Sequence, residues 1–177
     1  DTVSGGDGTD TIEANSSGIS IDMTTGRYDS IEVVNGSGSA DSMTASSSAV
    51  TFYGDGGADS LIGGSAGDTL YGGDGNDTLS GNDGNDSLVA GAGVDNLSGG
   101  IGSDTLDARG AGADDALTGG ADDDTILLDY SAGFGSAMVD GGDGKDTLVL
   151  YMSSSGSLEL NTTNFPDAKF TGLEVLD

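Results

Sequence analysis

Large apolar residues in the middle of this chain recur once every nine positions, a spacing that fits neither the 3.6-residue period of an amphipathic helix nor a long alternating strand. Between residues 54 and 107 the phrases "GDGGADSLI", "GGSAGDTLY", "GGDGNDTLS", "GNDGNDSLV", "AGAGVDNLS" and "GGIGSDTLD" follow without a gap and place Leu61, Leu70, Leu79, Leu88, Leu97 and Leu106 at the eighth position. The sixth position is equally constant: Asp59, Asp68, Asp77, Asp86, Asp95 and Asp104. The first half of each phrase is rich in Gly, Asn and Asp, residues that reach positive φ, and predicts a turn. The "D-T-L-x" half predicts a short strand, in which the leucine shares a face with the aspartate and the intervening Thr, Ser or Asn points the other way.

The same phase extends outward in eroded form. "GSGSADSMT" (36–44) carries Asp41, and "ASSSAVTFY" (45–53) has Val50 where the aspartate belongs, a slot expected to hold no ion. Beyond Asp107, Ala108 and Arg109 are inserted before "GAGADDALT" and "GGADDDTIL" resume the phase with Asp115 and Asp124. Complete single copies stand apart: "GGDGTDTIE" with Asp10 and "GGDGKDTLV" with Asp146. The chain therefore divides into a flanking β segment with one isolated repeat (1–35), a repeat array (36–127), and a C-terminal β segment with another isolated repeat (128–177) that is a cap or the start of a next module. Residues 5–35 and 141–177 each open on a complete nonapeptide, pass "SSG" and an alternating strand ("ISID", "SLEL") and close on "SIEVV" or "GLEVL". This parallel predicts that the chain is one period of a longer repetitive protein.

Charge narrows the chemistry. Thirty-one acidic against 4 basic side chains give a formal net charge of −27, which argues against nucleic acid and anionic membrane as partners and makes cations the expected ones. The sequence has neither His nor Cys, so imidazole and thiolate metal sites and Cys- or His-based catalysis are excluded. Oxygen donors remain, and these suit hard cations; calcium fits better than magnesium because it accepts 6–8 oxygens, backbone carbonyls included, in flexible geometry. No apolar run approaches the roughly 18 residues of a membrane span. Carboxylates carried on stacked strands about 4.8 Å apart repel one another, and a divalent cation between them turns that repulsion into a bond. The recurring aspartate is thus expected to be a folding device, with cation-binding free energy supplying folding free energy that one leucine per nonapeptide cannot.

The phrase G-G-x-G-x-D-x-U-x, with U a large apolar residue, resembles the RTX family, the haemolysin-type calcium-binding repeats. The resemblance implies an all-β fold, a parallel β-roll (calcium-binding β-helix or solenoid) with irregular β-strand flanking segments, in which two nonapeptides make one 18-residue coil. Repeats i and i+2 would then stack, with Leu61, Leu79 and Leu97 in one internal ladder and Leu70, Leu88 and Leu106 in the opposite one. The aspartates would line two edges, Asp59/Asp77/Asp95 and Asp68/Asp86/Asp104. The family places each ion between stacked turns, which implies a site joining Gly72, Asp74 and Asp77 to Gly91, Gly93 and Asp95. On the other edge it implies one joining Gly63, Ser65 and Asp68 to Asn82, Gly84 and Asp86. The remaining turn residues assigned to metal on this basis are Gly54, Gly56, Gly73, Gly75, Gly81, Asp83, Gly100 and Gly102, together with the sixth-position carboxylates Asp41, Asp115, Asp124, Asp10 and Asp146. Several calcium ions, roughly six or more, are expected. Ala66 and Ala90 depart from the glycine pattern.

Other motifs carry little. "GGSAG" (63–67) matches a lipase-type G-x-S-x-G, but no His is present to activate Ser65. Asp122 and Asp123 read as solvated turn charges and Lys145 as a surface residue, and the sequons at Asn15 and Asn161 as incidental in a bacterial protein. The expected function is a calcium-binding structural module of a secreted bacterial surface protein of the S-layer, adhesin or filament type, folding and assembling with copies of itself or other surface components. The alternative is the calcium-dependent folding and secretion domain of a larger hydrolase or toxin. An enzyme in its own right is not expected. The resemblance implies secretion by a type I route and an extracellular location.

Overall fold

In the computed structural model, which describes residues 2–15, 17–110, 114–129 and 137–151, the nine-residue phrase becomes half a coil of a parallel β-solenoid. One sheet has eight strands: β2 (Thr11–Glu13), β5 (Val33–Ser37), β7 (Thr51–Gly56), β9 (Thr69–Asp74), β11 (Ser87–Ala92), β13 (Thr105–Ala108), β15 (Thr125–Asp129) and β17 (Thr147–Tyr151). The other has seven: β3 (Ser20–Asp22), β6 (Ser42–Thr44), β8 (Ser60–Ile62), β10 (Thr78–Asp83), β12 (Asn96–Ile101), β14 (Ala116–Ala121) and β16 (Met138–Asp143). β1 (Val3–Ser4) and β4 (Tyr28–Asp29) form a separate parallel pair, and a single 3-10 turn spans Met23–Thr25. The chain alternates between the two larger sheets, so each strand pairs with the strand one coil away.

Side chains alternate as the sequence predicts. In β10 the outward Thr78 is exposed and Ser80 half-buried, while Leu79 is buried. Leu79 lies in register with Leu61 on one side and Leu97 on the other, and the ladder runs from Ile21 and Met43 through Leu117 to Val139. The opposite sheet supplies Ile12, Val34, Phe52, Leu70, Leu88, Leu106, Ile126 and Leu148 in register. The core is thus two facing rows of aliphatic side chains, thickened near the N-terminal end by Phe52, Met43, Val50, Met23 and Ile31.

The insertion at Ala108 and Arg109 leaves this register intact: Leu97 pairs with Leu117 across a 20-residue interval as Leu79 does with Leu97 across 18. Ala108 ends β13, buried and in register with Leu128, and the exposed Arg109 after it grips Asp107 through Nε and Nη2 (2.9 and 2.6 Å) and lies over the Tyr151 ring at 4.5 Å. Both sheets run on past the divisions drawn at residues 35/36 and 127/128, since β2 and β3 begin them and β16 and β17 continue them. The parallel between 5–35 and 141–177 falls largely on residues 152–177, outside the described residues, as does Asn161.

Candidate metal centre

Each sixth-position aspartate sits where a turn enters a strand, and the stacking of coils lines these residues up along both edges of the roll. On one edge the backbone amide of Asp41 donates to Asp59 Oδ1 (2.7 Å), Asp59 to Asp77 (2.8 Å), Asp77 to Asp95 (2.8 Å) and Asp95 to Asp115 (2.8 Å). On the other edge Asp68 donates to Asp86 (2.6 Å), Asp86 to Asp104 (2.8 Å), Asp104 to Asp124 (2.8 Å) and Asp124 to Asp146 (3.1 Å). Val50 interrupts only the side-chain row, because its amide still donates to Asp68 Oδ1 (2.8 Å) while its side chain is buried in the core.

The second oxygen of most of these carboxylates has nothing to bind. Asp10, Asp59, Asp77, Asp86, Asp95, Asp104, Asp124 and Asp146 each hold a buried Oδ2 without a hydrogen-bond partner. An unsatisfied buried charge is costly, so eight repetitions of the same orphan call for a common counter-charge. The first position of the turn is tightly packed against this oxygen: at Gly54, Gly72, Gly81, Gly99, Gly119 and Gly141 a Cβ would fall on the Oδ2 of the turn's own aspartate, and at all but Gly141 also close to the first-position carbonyl of the next coil, as it would at Gly36 and Gly63, whose aspartates are capped. The orphaned carboxylate oxygen and a backbone carbonyl of the next coil thus lie near each other, a donor set that suits an oxygen-loving cation. Ala90 occupies the same first position, yet its turn keeps the form of its neighbours, with Gly91 at φ 113° and Gly93 at φ 148°.

At the site expected to join Gly72, Asp74 and Asp77 to Gly91, Gly93 and Asp95, the structure stacks Asp77 on Asp95, while Gly91 lies in register with Gly73, Asp74 with Ala92, and Gly93 against Gly75 O. Asp74 O already accepts from Gly57 N (2.8 Å), which leaves one lone pair of that carbonyl free. On the other edge, where Gly63, Ser65 and Asp68 were expected to join Asn82, Gly84 and Asp86, Asp68 stacks on Asp86, Gly63 lies against Gly81 and Gly84 against Ala66, and protein groups take up several of the expected donors. Gly63 O accepts from Asn82 Nδ2 (2.8 Å), Asp68 Oδ2 from Gly64 N (2.6 Å), and Ser65 N donates to Ser46 O (3.1 Å). Asp41 Oδ2 is likewise satisfied, by Ser37 N at 2.7 Å. Asp83 projects into solvent. Gly56, Gly100 and Gly102 keep their places in the stacked turns, Gly100 between Asn82 and Gly120. Among the described residues no three acidic side chains converge on one point, so any cation held here rests on paired carboxylates completed by carbonyls.

Glu32 is the site residue that a search for aspartate misses. It fills the slot between Asp10 and Val50, accepting from Asp10 N through Oε2 at 2.9 Å, and its own carbonyl accepts from Thr51 N at 2.7 Å. The signal was present: counting nine back from Gly36 places Glu32 sixth and Val34 eighth in "RYDSIEVVN".

Burial dominates the electrostatics. It pushes Asp59, Asp86, Asp95 and Asp124 up to about 6 and Asp104 to about 7, against the opposing backbone hydrogen bonds and with the neighbouring ladder carboxylates adding to the rise. Asp68, Asp77 and Asp115 are raised for the same first cause. Such a row of buried, mutually repelling carboxylates is a donor set whose ionised form a divalent cation would favour.

Comparison with known proteins agrees with this geometry. The family model for the RTX calcium-binding nonapeptide repeat matches four copies, at residues 1–17, 35–70, 71–106 and 108–129, together more than half of the chain. No curated protein and no solved structure matches it.

Proposed function

Because the chain belongs to the RTX calcium-binding repeat family, whose repeats occur in secreted bacterial proteins, we propose that it is a calcium-folded structural module of an extracellular surface protein of the S-layer, adhesin or filament kind. The calcium-binding, β-solenoid character follows from the family and the fold. The observation that carries the structural role is the two-edged row of buried, partnerless carboxylate oxygens, which makes the stack's cohesion depend on the cation rather than on its thin core. When bound, calcium supplies the positive charge and oxygen affinity that this row lacks. Asp77 with Asp95, and Asp86 with Asp104, are the pairs that would hold it, helped by the carbonyls that border them. A non-enzymatic role fits the sequence, which has no His or Cys, and Ser65 lies inside a stacked turn.

Pulling the chain apart by single-molecule force tests the load-bearing role. The calcium-loaded module is expected to unfold at markedly higher force than the same molecule in chelator. Equal forces in the two conditions would remove the proposal.

A further inference from the structure

Among the described turns that carry a sixth-position aspartate two forms occur, and they differ at the fourth residue. In the open form the second and fourth residues both have positive φ: Gly6/Gly8, Asp55/Gly57, Gly73/Gly75, Asn82/Gly84, Gly91/Gly93, Gly100/Gly102, Gly120/Asp122 and Gly142/Gly144. These are the eight turns whose aspartate keeps an orphaned Oδ2. In turns 36–41 and 63–68 no residue has positive φ, and the amide of the second residue, Ser37 or Gly64, swings onto the Oδ2 of its own aspartate at 2.7 or 2.6 Å. The fourth residue there is Ser39 or Ala66. At the open fourth positions φ runs from 120° to 148° wherever the residue is glycine, a region closed to alanine and serine, whereas Asp122 reaches 77°, the αL region that Asp tolerates.

We infer that turns 36–41 and 63–68 are self-capped, cation-free steps, so that of the four turns in the two coils over residues 36–71 only 54–59 calls for calcium, and these coils seed the rest of the roll. This rests on the reading that open turns take calcium, and it removes Asp41, Asp68, Gly63 and Ser65 from the ligand set that the family pattern implies. Three observations carry it independently of the φ values: the capped Oδ2 atoms, Gly63 O taken by the Asn82 side chain, and Val50 buried in place of a carboxylate on the turn between them. The same two coils contain the two largest fully buried side chains, Phe52 and Met43, so apolar cohesion is greatest where most turns are capped. Two stacked open turns define a calcium step. On the first edge these are 54–59 with 72–77 and 72–77 with 90–95. On the second they are 81–86 with 99–104, 99–104 with 119–124, and 119–124 with 141–146.

Native mass spectrometry of the full chain at saturating calcium, counting bound ions, tests the assignment. Ala66→Gly restores the open sequence and is expected to bind one ion more than the unmodified chain, and Ser39→Gly likewise. Asp86→Asn is expected to bind fewer. An unchanged count in both glycine variants overturns the inference, while an unchanged count in Asp86→Asn would overturn the reading beneath it instead. Hydrogen exchange of the unmodified chain in chelator is independent of how any variant folds. Amides of residues 36–71 are expected to stay protected while those of 72–107 exchange freely, and uniform exchange across the two segments overturns the seed.

Discussion

At the scale of single residues, the ladder aspartate is the unit that explains the chain. Its amide and one carboxylate oxygen are spent on coil-to-coil hydrogen bonds, and its other oxygen is left buried. Since burial holds Asp59, Asp86, Asp95 and Asp124 near 6 and Asp104 near 7, against 3.8 when exposed, the metal-free fold binds protons more tightly than the unfolded chain across that window. Its stability is therefore fullest below the unfolded value and is lost as pH rises through the folded values. Acidifying chelated protein from about pH 7.5 to about pH 5 should increase its β-sheet signal, and the same change should weaken calcium binding because protons compete for the same oxygens. Circular dichroism in chelator across this range checks the first half; a loss of structure on mild acidification would contradict it.

At the scale of the strand, packing is carried by one inward leucine per nonapeptide. Leu79 is 1 % exposed between Leu61 and Leu97, so Leu79→Ala should cost about 2–5 kcal/mol in calcium, whereas Thr78→Ala on the outer face of the same strand should stay within about 0.5 kcal/mol. Urea unfolding of both variants in calcium distinguishes them, and equal losses would mean the strand does not face as described. This alternation was legible in the sequence because period two and period nine coincide on the same residues, Asp77 and Leu79 for example. The coil-to-coil stacking was expected only from the resemblance to the RTX family, which makes two nonapeptides one coil. Glu32 was not legible to a search keyed on aspartate, although a carboxylate one methylene longer reaches the same amide. Nor were the closed turns, because "GGSAGD" and "GGDGND" differ at three positions, and only at the fourth, Ala66 against Gly75, does the allowed φ rather than the chemistry redirect the backbone.

At the scale of the whole molecule, a net charge of −27 is distributed so that much of its cost falls inside two rows where a divalent cation can cancel it. The fold is therefore conditional: an apolar coil near the N-terminal end that needs little help, continued by coils whose edges are incomplete without metal. The most direct measurement is a far-UV circular dichroism titration of the chelated chain with calcium, with magnesium in parallel. The account predicts a minor β signal in chelator that rises cooperatively to the full parallel-β spectrum with calcium and stays low with magnesium. A full β spectrum in chelator, unchanged by calcium, would contradict it.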